Sequence, residues 1–283
     1  MERSEALHHA LERILGMHGD DTLPSSRVER IIVRPEWNVV IAENGLCGMV
    51  INFYGKYSID PEKAPQIEEL SSLVGLPLSK VAEMHLDSGD ENLRSISVCS
   101  LSALSQPFLG DTSLLSRGHN LSKDVVDLIR PTDIVAIVGY GGIVDSLKPL
   151  CSELHVTEMR PRHFIHNIVL DGSVRYCPDD VIFHSQDENE DVLSSSDVVL
   201  MTASTLVNGT FDKLLDYGKD ARVRGIYGPS GSLLPDALFE LGIDTMWVCE
   251  MADPAAFARD ALYSQSLESS IKRNQRIKWV RRA

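Results

Sequence analysis

The sequence predicts an α/β protein in which an N-terminal α+β unit precedes a doubly wound parallel sheet. The first observation is a run of three strand patterns and then three helix patterns within residues 28–104. The second is a regular alternation of strand and helix patterns from Ser122 onward, which is typical of parallel sheets covered by helices. We place the boundary near residue 115, so that the two units span 1–115 and 116–283.

The N-terminal unit is predicted to contain one helix, an antiparallel sheet and a helical segment. Apolar side chains recur at helical spacing over 4–17. Strand patterns follow over 28–33, 37–42 and 46–53. The turns between them contain Pro35-Glu36 and Glu43-Asn44-Gly45, and Asn-Gly is a strong hairpin signal. Helix patterns then cover 67–74, 78–86 and 92–104.

The second unit is predicted from apolar strands that alternate with helices. The strand patterns cover 133–139, 153–158, 181–184, 197–202, 222–227 and 244–249. The helix patterns cover 143–151, 188–194, 206–217, 232–241 and 254–263. The stretch over 108–121 has no clear period, and we interpret it as the connection between the units.

The strand over 133–139 runs directly into a glycine-rich turn. Its apolar residues do not alternate with polar ones, as expected for a parallel strand covered on both faces. Gly139, Gly141 and Gly142 allow a tight turn and a close approach by a ligand. A helix from about Ile143 would point its free N–H groups at that ligand. This pattern predicts a Rossmann-like sheet with a nucleoside site, and a tight turn without a nucleotide is the alternative.

An acidic residue follows the next strand at a spacing used in nucleoside sites. Glu158 lies 19 residues after Gly139 (139 to 158), close to the spacing of ~20 at which a carboxylate meets ribose hydroxyls. Val144 stands where the dinucleotide fingerprint has its third glycine, so a nicotinamide dinucleotide is not favoured. Looser glycine turns of this kind are used by proteins that bind S-adenosylmethionine.

A second polar turn follows the strand over 197–202. Small polar side chains gather there, namely Thr202, Ser204, Thr205, Asn208 and Thr210. The carboxyl ends of strands form the edge at which open α/β sheets bind ligands. Ser204 or Thr205 is also expected to cap a helix that starts near Leu206. Capping alone does not account for five such residues, so we predict a ligand role.

Composition indicates an ordinary globular protein. The 283 residues are 43% hydrophobic and 24% charged. No apolar run reaches the ~20 residues that cross a bilayer, and the charged start is unlike a signal peptide. The net charge of −14 disfavours nucleic acid, and five scattered cysteines argue against a disulfide framework. We expect a cytoplasmic protein with a small-molecule ligand and no membrane or nucleic-acid partner; a homo-oligomer is left open.

The C-terminus is locally basic. Residues 271–283 contain six lysines and arginines and no acids. We expect this tail to dock on an acidic part of the body or on a second copy of the chain, and an anionic partner is the alternative.

Four segments together resemble the putative heavy-metal chelation family: 200–215, 228–235, 75–83 and 95–104. The resemblance covers most of the chain. It implies an enolase-N-terminal-like domain joined to a Rossmann-like domain with features partly like methyltransferases. It also implies a cleft between the domains and a role in making or handling small chelating molecules. Ser102 stands where the family usually has asparagine, which puts a contact by that amide in doubt.

The first functional interpretation is an enzyme that uses S-adenosylmethionine as a cosubstrate or substrate. Glu158 would accept the ribose hydroxyls beside the glycine turn, and Thr202 and Thr205 would also contact the ligand. The reaction is methyl transfer, aminocarboxypropyl transfer, or cyclisation to an azetidine. Such displacements need orientation and desolvation rather than a catalytic triad. The residues that would face the reacting groups are Tyr140, Tyr176, Ser204, Asn208 and Tyr54.

The second interpretation is a metal or metal-chelate binding protein without catalysis. His163 and His166 form an H-x-x-H pair, with Cys177 and His184 downstream. Imidazole and thiolate suit transition metals, but the spacing fits no strong zinc signature. We therefore predict no resident metal.

Overall fold

The computed structural model describes residues 3–19, 21–53, 67–160, 167–168, 174–175, 181–264 and 273–282. A small antiparallel sheet with its helices packs against a larger, mostly parallel sheet, so the predicted fold class is confirmed. None of the helices in these ranges is long and apolar enough to cross a membrane.

The N-terminal unit forms a three-stranded sheet in the order β1-β2-β3, with antiparallel pairing throughout. Its elements are α1 (Glu5–His18), β1 (Val28–Val33), β2 (Trp37–Ala42), β3 (Cys47–Ile51), α2 (Ile67–Ser71), α3 (Leu78–Met84), α4 (Glu91–Ser105) and α5 (Asp111–Ser116). Asp90 caps the N-terminus of α4, because its carboxylate accepts hydrogen bonds from the backbone N–H groups of Asn92 and Leu93. α4 is buried on nearly all sides because it lies between the small sheet and the second unit.

The second unit is built around an eight-stranded sheet. Its first half contains β4 (Asn120–Ser122), β5 (Ile134–Val138), α6 (Val144–Leu147), β6 (Glu153–Glu158), β7 (Asn167–Ile168), β8 (Val174–Arg175), β9 (Ile182–Ser185), α7 (Asn189–Ser194) and β10 (Val198–Thr202). Its second half contains α8 (Ser204–Asn208), α9 (Phe211–Tyr217), β11 (Val223–Tyr227), α10 (Pro235–Glu240), β12 (Thr245–Met251), α11 (Pro254–Tyr263) and β13 (Gln275–Arg281). β7 and β8 pair antiparallel with each other in a separate two-stranded sheet.

The strand order of the large sheet is β4-β13-β12-β11-β10-β5-β6-β9. From β9 to β12 the strands are parallel and follow the order 3-2-1-4-5-6 of a Rossmann sheet. The order reverses between β5 and β10, and ligands of open α/β sheets bind outside the carboxyl ends of the strands at such a point.

Three sequence expectations for this unit need correction. The helix over 206–217 is divided into α8 and α9, because Gly209 adopts a left-handed conformation with φ +77°. The helix after the glycine turn is only α6, followed by a 3₁₀ turn at Lys148–Leu150. The connection over 108–121 contains α5 and the start of β4.

The basic C-terminus is an internal strand of the sheet. β13 lies antiparallel between β12 and β4, in register from Gln275 opposite Met251 to Arg281 opposite Thr245. Lys278 is buried and contacts the carboxylates of Asp111 and Glu250. The tail therefore docks on acidic groups of the body, as one of the expectations had it, but it does so by joining the sheet.

The two units share one apolar core. Buried side chains of α1 and α4 pack in the same cluster as those of α8, α10 and the central strands. Polar contacts also cross the interface: Asp212 accepts hydrogen bonds from the Ser4 hydroxyl and the Ala6 N–H, each at 2.9 Å. The backbone N–H of Ile51 donates to the Ser230 hydroxyl at 3.0 Å. The contact between Ile51 and Ser230 holds the end of β3 against the second unit.

Candidate functional site

A cavity of about 690 Å³ lies at the point where the strand order reverses. The carboxyl ends of β5, β6 and β10 form one side of it, and the end of β3 and the start of α4 form the other. Its volume is in the range of small-molecule sites. The residues lining it include Phe53, Glu91, Gly139, Tyr140, Gly141, Thr157, Glu158, Met159, Arg160, Gln186, Asn189, Thr202, Ser204, Thr205, Asn208, Thr210 and Tyr227.

The glycine turn forms part of the cavity wall. Gly139 has φ +88°, and a Cβ there would lie 2.8 Å from Cγ2 of Thr202, so the backbone conformation and the space both require glycine. Gly141 also lines the cavity. Gly142 does not line it and faces open space, with no described atom within 4 Å of an added Cβ. Gly139 and Gly141 therefore line the cavity as the sequence predicted, whereas Gly142 lies outside its lining.

Tyr227 is hydrogen-bonded to the start of the glycine turn. Its hydroxyl donates to the carbonyl oxygens of Val138, at 3.1 Å, and of Gly139. Burial raises the pKa of the Tyr227 phenol, and the nearby negative charge of Glu158 raises it further. The phenol therefore stays protonated near neutral pH and acts as a structural donor.

Glu158 lies at the end of β6 beside the turn, as predicted, and is largely occupied by protein groups. Its Oε2 accepts from the Tyr140 N–H at 2.9 Å and from Nη2 of Arg160 at 2.7 Å. Its Oε1 accepts from the Arg160 N–H at 2.9 Å. Burial alone would raise the pKa of Glu158, but the hydrogen bonds and charge of Arg160 and the Tyr140 N–H together hold it below its ordinary value.

The ion pair limits how a ligand could use Glu158. A carboxylate has about four acceptor positions, and the contacts with Arg160 and Tyr140 take three of them. A pair of ribose hydroxyls must therefore displace the Arg160 side chain or share the remaining position. The Arg160 side chain is 30% exposed, whereas that of Glu158 is 4% exposed, so Arg160 is the more accessible partner of the pair.

The polar turn between β10 and α9 lines the cavity with all five of its predicted residues. Within the described chain no side chain caps α8, which starts at Ser204, so the expectation that Ser204 or Thr205 caps a helix is wrong. Instead Thr205 donates to the Thr202 carbonyl at 2.7 Å, and Ser204 donates to the Thr202 hydroxyl at 3.1 Å.

Asn208 ends α8, rather than lying near the start of a helix as the sequence suggested. Its Oδ1 accepts from the N–H and the hydroxyl of Thr210, at 3.1 and 2.8 Å. Its Nδ2 lies 3.8 Å from the Met159 sulfur. The amide therefore faces the cavity with its oxygen engaged and its nitrogen bonded only weakly.

Among the polar side chains of the cavity that sequence reasoning missed, two have a buried oxygen without a hydrogen-bond partner. Oγ1 of Thr157 and Oδ1 of Asn189 are buried, line the cavity and have no hydrogen-bond partner among the described residues. Buried polar atoms of this kind usually bond to water or to a ligand. Thr157 precedes Glu158 at a strand end and could have been identified by that position. Asn189 follows a turn after β9 and gives no comparable signal.

The described residues do not include all of the predicted ones. Tyr54 and Tyr176 fall outside the described residues, as do His163, His166 and Cys177, but Phe53 next to Tyr54 does line the cavity. The Tyr140 ring centroid lies 6.4 Å from that of Phe183. In the described ranges no group of three or more histidine, cysteine or acidic side chains converges on a common metal position.

Solved structures share the fold. A protein of unknown function of the DUF364 family from Desulfitobacterium hafniense DCB-2 is 18% identical, with a TM-score of 0.71 over 98% of this chain and 99% of that one. Another, from Pyrococcus horikoshii, is 21% identical, with a TM-score of 0.67 over 97% and 98% of the two chains. No curated protein matches. The sequence profile described as putative heavy-metal chelation, DUF364, matches residues 124–274. The chain belongs to this family.

Proposed function

We propose that the cleft binds S-adenosylmethionine and directs a displacement at its sulfonium. The observation that carries the proposal is the grouping of three features around one cavity. These are the glycine turn after β5, an acid at the end of the neighbouring β6, and the polar turn after β10. Their position at the switch point of the sheet is the usual place for a nucleoside ligand.

The charge of the cavity favours this ligand over an anionic one. Its described lining contains two carboxylates, Glu91 and Glu158, and one guanidinium, Arg160. S-Adenosylmethionine carries a sulfonium, an ammonium and a carboxylate, for a net charge of +1. A cation of this charge complements the cavity, whereas a free polycarboxylate would meet repulsion.

Two groups of lining residues would contact the two ends of the ligand. The adenosine part would lie along Gly139 and Gly141, with its ribose near Glu158. The amino acid part would lie at the polar turn, where Ser204 and Asn208 offer hydroxyl and amide groups. Thr157 and Asn189 would accept hydrogen bonds that the described residues leave unmade. Phe53 and the end of β3 would exclude water from the sulfonium.

The reaction requires orientation and desolvation. Attack at the methyl carbon gives a methylated product and S-adenosylhomocysteine. Attack at the carbon of the aminocarboxypropyl chain next to sulfur releases methylthioadenosine. When the attacking group is the ligand's own amine, the second displacement closes an azetidine and releases a proton. Holding the reacting atoms in line supplies much of the rate enhancement for either course.

Mass spectrometry of small molecules tests the proposal. The 283-residue chain is incubated with S-adenosylmethionine, and methylthioadenosine, S-adenosylhomocysteine and azetidine-2-carboxylate are measured against a sample without protein. Either nucleoside product, formed above the background rate, supports the proposal and identifies the carbon attacked. No product and no retained ligand, with the protein folded, would refute catalysis on this molecule.

Binding of a metal chelate without catalysis is the second candidate. The family description favours it. The described lining of the cleft contains no histidine or cysteine, so the cleft would bind a metal only within a chelate and not by direct imidazole or thiolate ligands. Metal and chelator content of purified protein distinguishes the two candidates.

A further inference from the structure

A buried arginine of α4 is hydrogen-bonded to both walls of the cleft. Arg94 is 2% exposed and is not among the residues that line the cavity. Its Nη2 donates to the carbonyl oxygen of Ser88, just before α4, and its Nη1 donates to that of Val207 in α8 at 3.1 Å. Gly89 and Asn208, the next residues along the chain, line the cavity. One guanidinium therefore links the N-terminal wall of the cleft to the polar turn of the second unit.

The guanidinium also packs against the turn that ends α8. The Val207 carbonyl lies in the last turn of this helix, where carbonyl groups have no partner within the helix. At Gly209, which has φ +77°, an added Cβ would lie 2.2 Å from Nη1 and 3.0 Å from Cζ of Arg94. The residues on either side of this glycine, Asn208 and Thr210, line the cavity. The turn therefore has the guanidinium against its backbone and the cavity beside its side chains.

The chemistry of arginine suits this link better than it suits packing. Removing a guanidinium from water costs free energy, and the replacement of a buried charge by an apolar side chain is often neutral or stabilising. What arginine adds is a rigid, planar group whose N–H donors can bond to several acceptors at fixed positions. In this chain the group reaches carbonyls of two different units at once. A lysine ammonium carries its donors on a single atom and does not reproduce that spacing.

We propose that Arg94 is a positioning residue that holds the cleft at a fixed width before any ligand enters. It acts through the backbone of Ser88 and Val207, and so sets the positions of Gly89 and Asn208 relative to each other. A site that is ordered in advance avoids the cost of ordering its walls when the ligand binds. The inference concerns the walls of the cleft and holds for any small molecule, and only the affinity measurement below rests on the proposed function.

Hydrogen–deuterium exchange with mass spectrometry tests the link on the ligand-free 283-residue chain. The variants are Arg94→Met, which removes the guanidinium, and Arg94→Lys, which keeps the charge. Arg224→Met is the matched control, because the Arg224 guanidinium also packs on a left-handed glycine: an added Cβ at Gly242, with φ +96°, would lie 2.5 Å from its Nη2. Arg224 does not line the cavity. We expect both Arg94 variants to exchange about tenfold faster over 88–91 and 204–210, and Arg224→Met to leave both segments unchanged.

Ligand affinity separates positioning from general stability. In calorimetric titration Arg94→Lys should bind S-adenosylmethionine at least tenfold more weakly than the unmodified protein, whereas Arg224→Met should bind it normally even if its melting temperature falls as far. If Arg94→Met does not fold, Arg94→Lys alone decides the comparison. If the unmodified protein does not bind this ligand, the proposed function fails, and the exchange rates still decide the role of Arg94. Faster exchange spread evenly over the chain, or unchanged exchange in both segments, would overturn the inference.

Discussion

Glu158 illustrates what can be read from a sequence about one side chain. Its place at the end of a strand followed from the apolar run before it and the spacing from the glycine turn. Its pairing with Arg160 did not follow from the sequence, because that contact depends on how the chain bends after β6. The same limit applies to Thr157 and Asn189, whose unbonded oxygens become visible only when every neighbouring group is placed.

The ion pair at Glu158 predicts a pH-dependent contribution to stability. The folded pKa is held below the ordinary value of 4.5. The ionised side chain therefore contributes fully above pH 4.5, and its contribution is lost as pH falls through the lowered folded pKa. Glu158→Gln should reduce the free energy of unfolding at pH 7 by about 1–2 kcal/mol. Denaturant titrations at pH 7 and under acid should show this difference shrinking, and a constant difference would contradict the assignment.

The secondary-structure elements were predicted best where they are purely apolar. The parallel strands β5 and β10 follow from nearly uninterrupted apolar runs. β13 was hidden by its lysines and arginines, because Lys278 is neutralised by Asp111 and Glu250, which are distant in sequence. The division between α8 and α9 was missed because the pattern over 206–217 stays helical across Gly209.

Removal of β13 tests its role as an internal strand. Because it pairs with β12 on one side and β4 on the other, a chain ending at residue 272 exposes both strands and loses the buried Trp279 and Val280. We expect that chain to be insoluble or to lose cooperative thermal unfolding. A truncated protein with an unchanged melting temperature would show that the strand is dispensable.

Gly209 offers a second test at the junction of α8 and α9. A Cβ there would lie 2.2 Å from Nη1 of Arg94, a buried guanidinium that donates to the Val207 carbonyl at 3.1 Å. Gly209→Ala should lower the free energy of unfolding by more than the ~1–2 kcal/mol of a left-handed alanine. Gly45→Ala is the control, since Gly45 has φ +84° and no described atom within 4 Å. Equal losses in both variants would argue against the Arg94 contact.

For the molecule as a whole, the fold class followed from the order of strand and helix patterns. The close contact of the two units could not be predicted from the sequence, because it depends on hydrogen bonds such as those of Arg94 with Val207 and of Ile51 with Ser230. Phe53 could be placed near the cleft from the sequence, because it precedes Tyr54, which was expected to face the reacting groups. Glu91 could not, because its position depends on how α4 packs between the two sheets.

The shared core bears on whether the second unit folds alone. The strand and helix patterns from Ser122 onward predict that a fragment starting there folds, and the cleft expected between the two units implies that the fragment is inactive. That fragment lacks most of β4 and the α1 and α4 side chains of the common core. We now expect it to be poorly folded, with an exposed apolar surface that binds a hydrophobic dye. A fragment with cooperative unfolding and no dye binding would show that the units are independent.

Calorimetric titration of S-adenosylmethionine into the full chain tests the central claim most directly, with two glycine variants beside it. A valine at position 141 adds a branched side chain to the cavity wall, while its Cβ meets Tyr227 at an ordinary 3.5 Å. Gly142→Val is the control, because it points into open space. The cleft assignment predicts one ligand per chain for the unmodified protein and for Gly142→Val, with at least tenfold weaker binding, about 1.4 kcal/mol, for Gly141→Val. No binding by the unmodified protein, or equal binding by Gly141→Val, would contradict it.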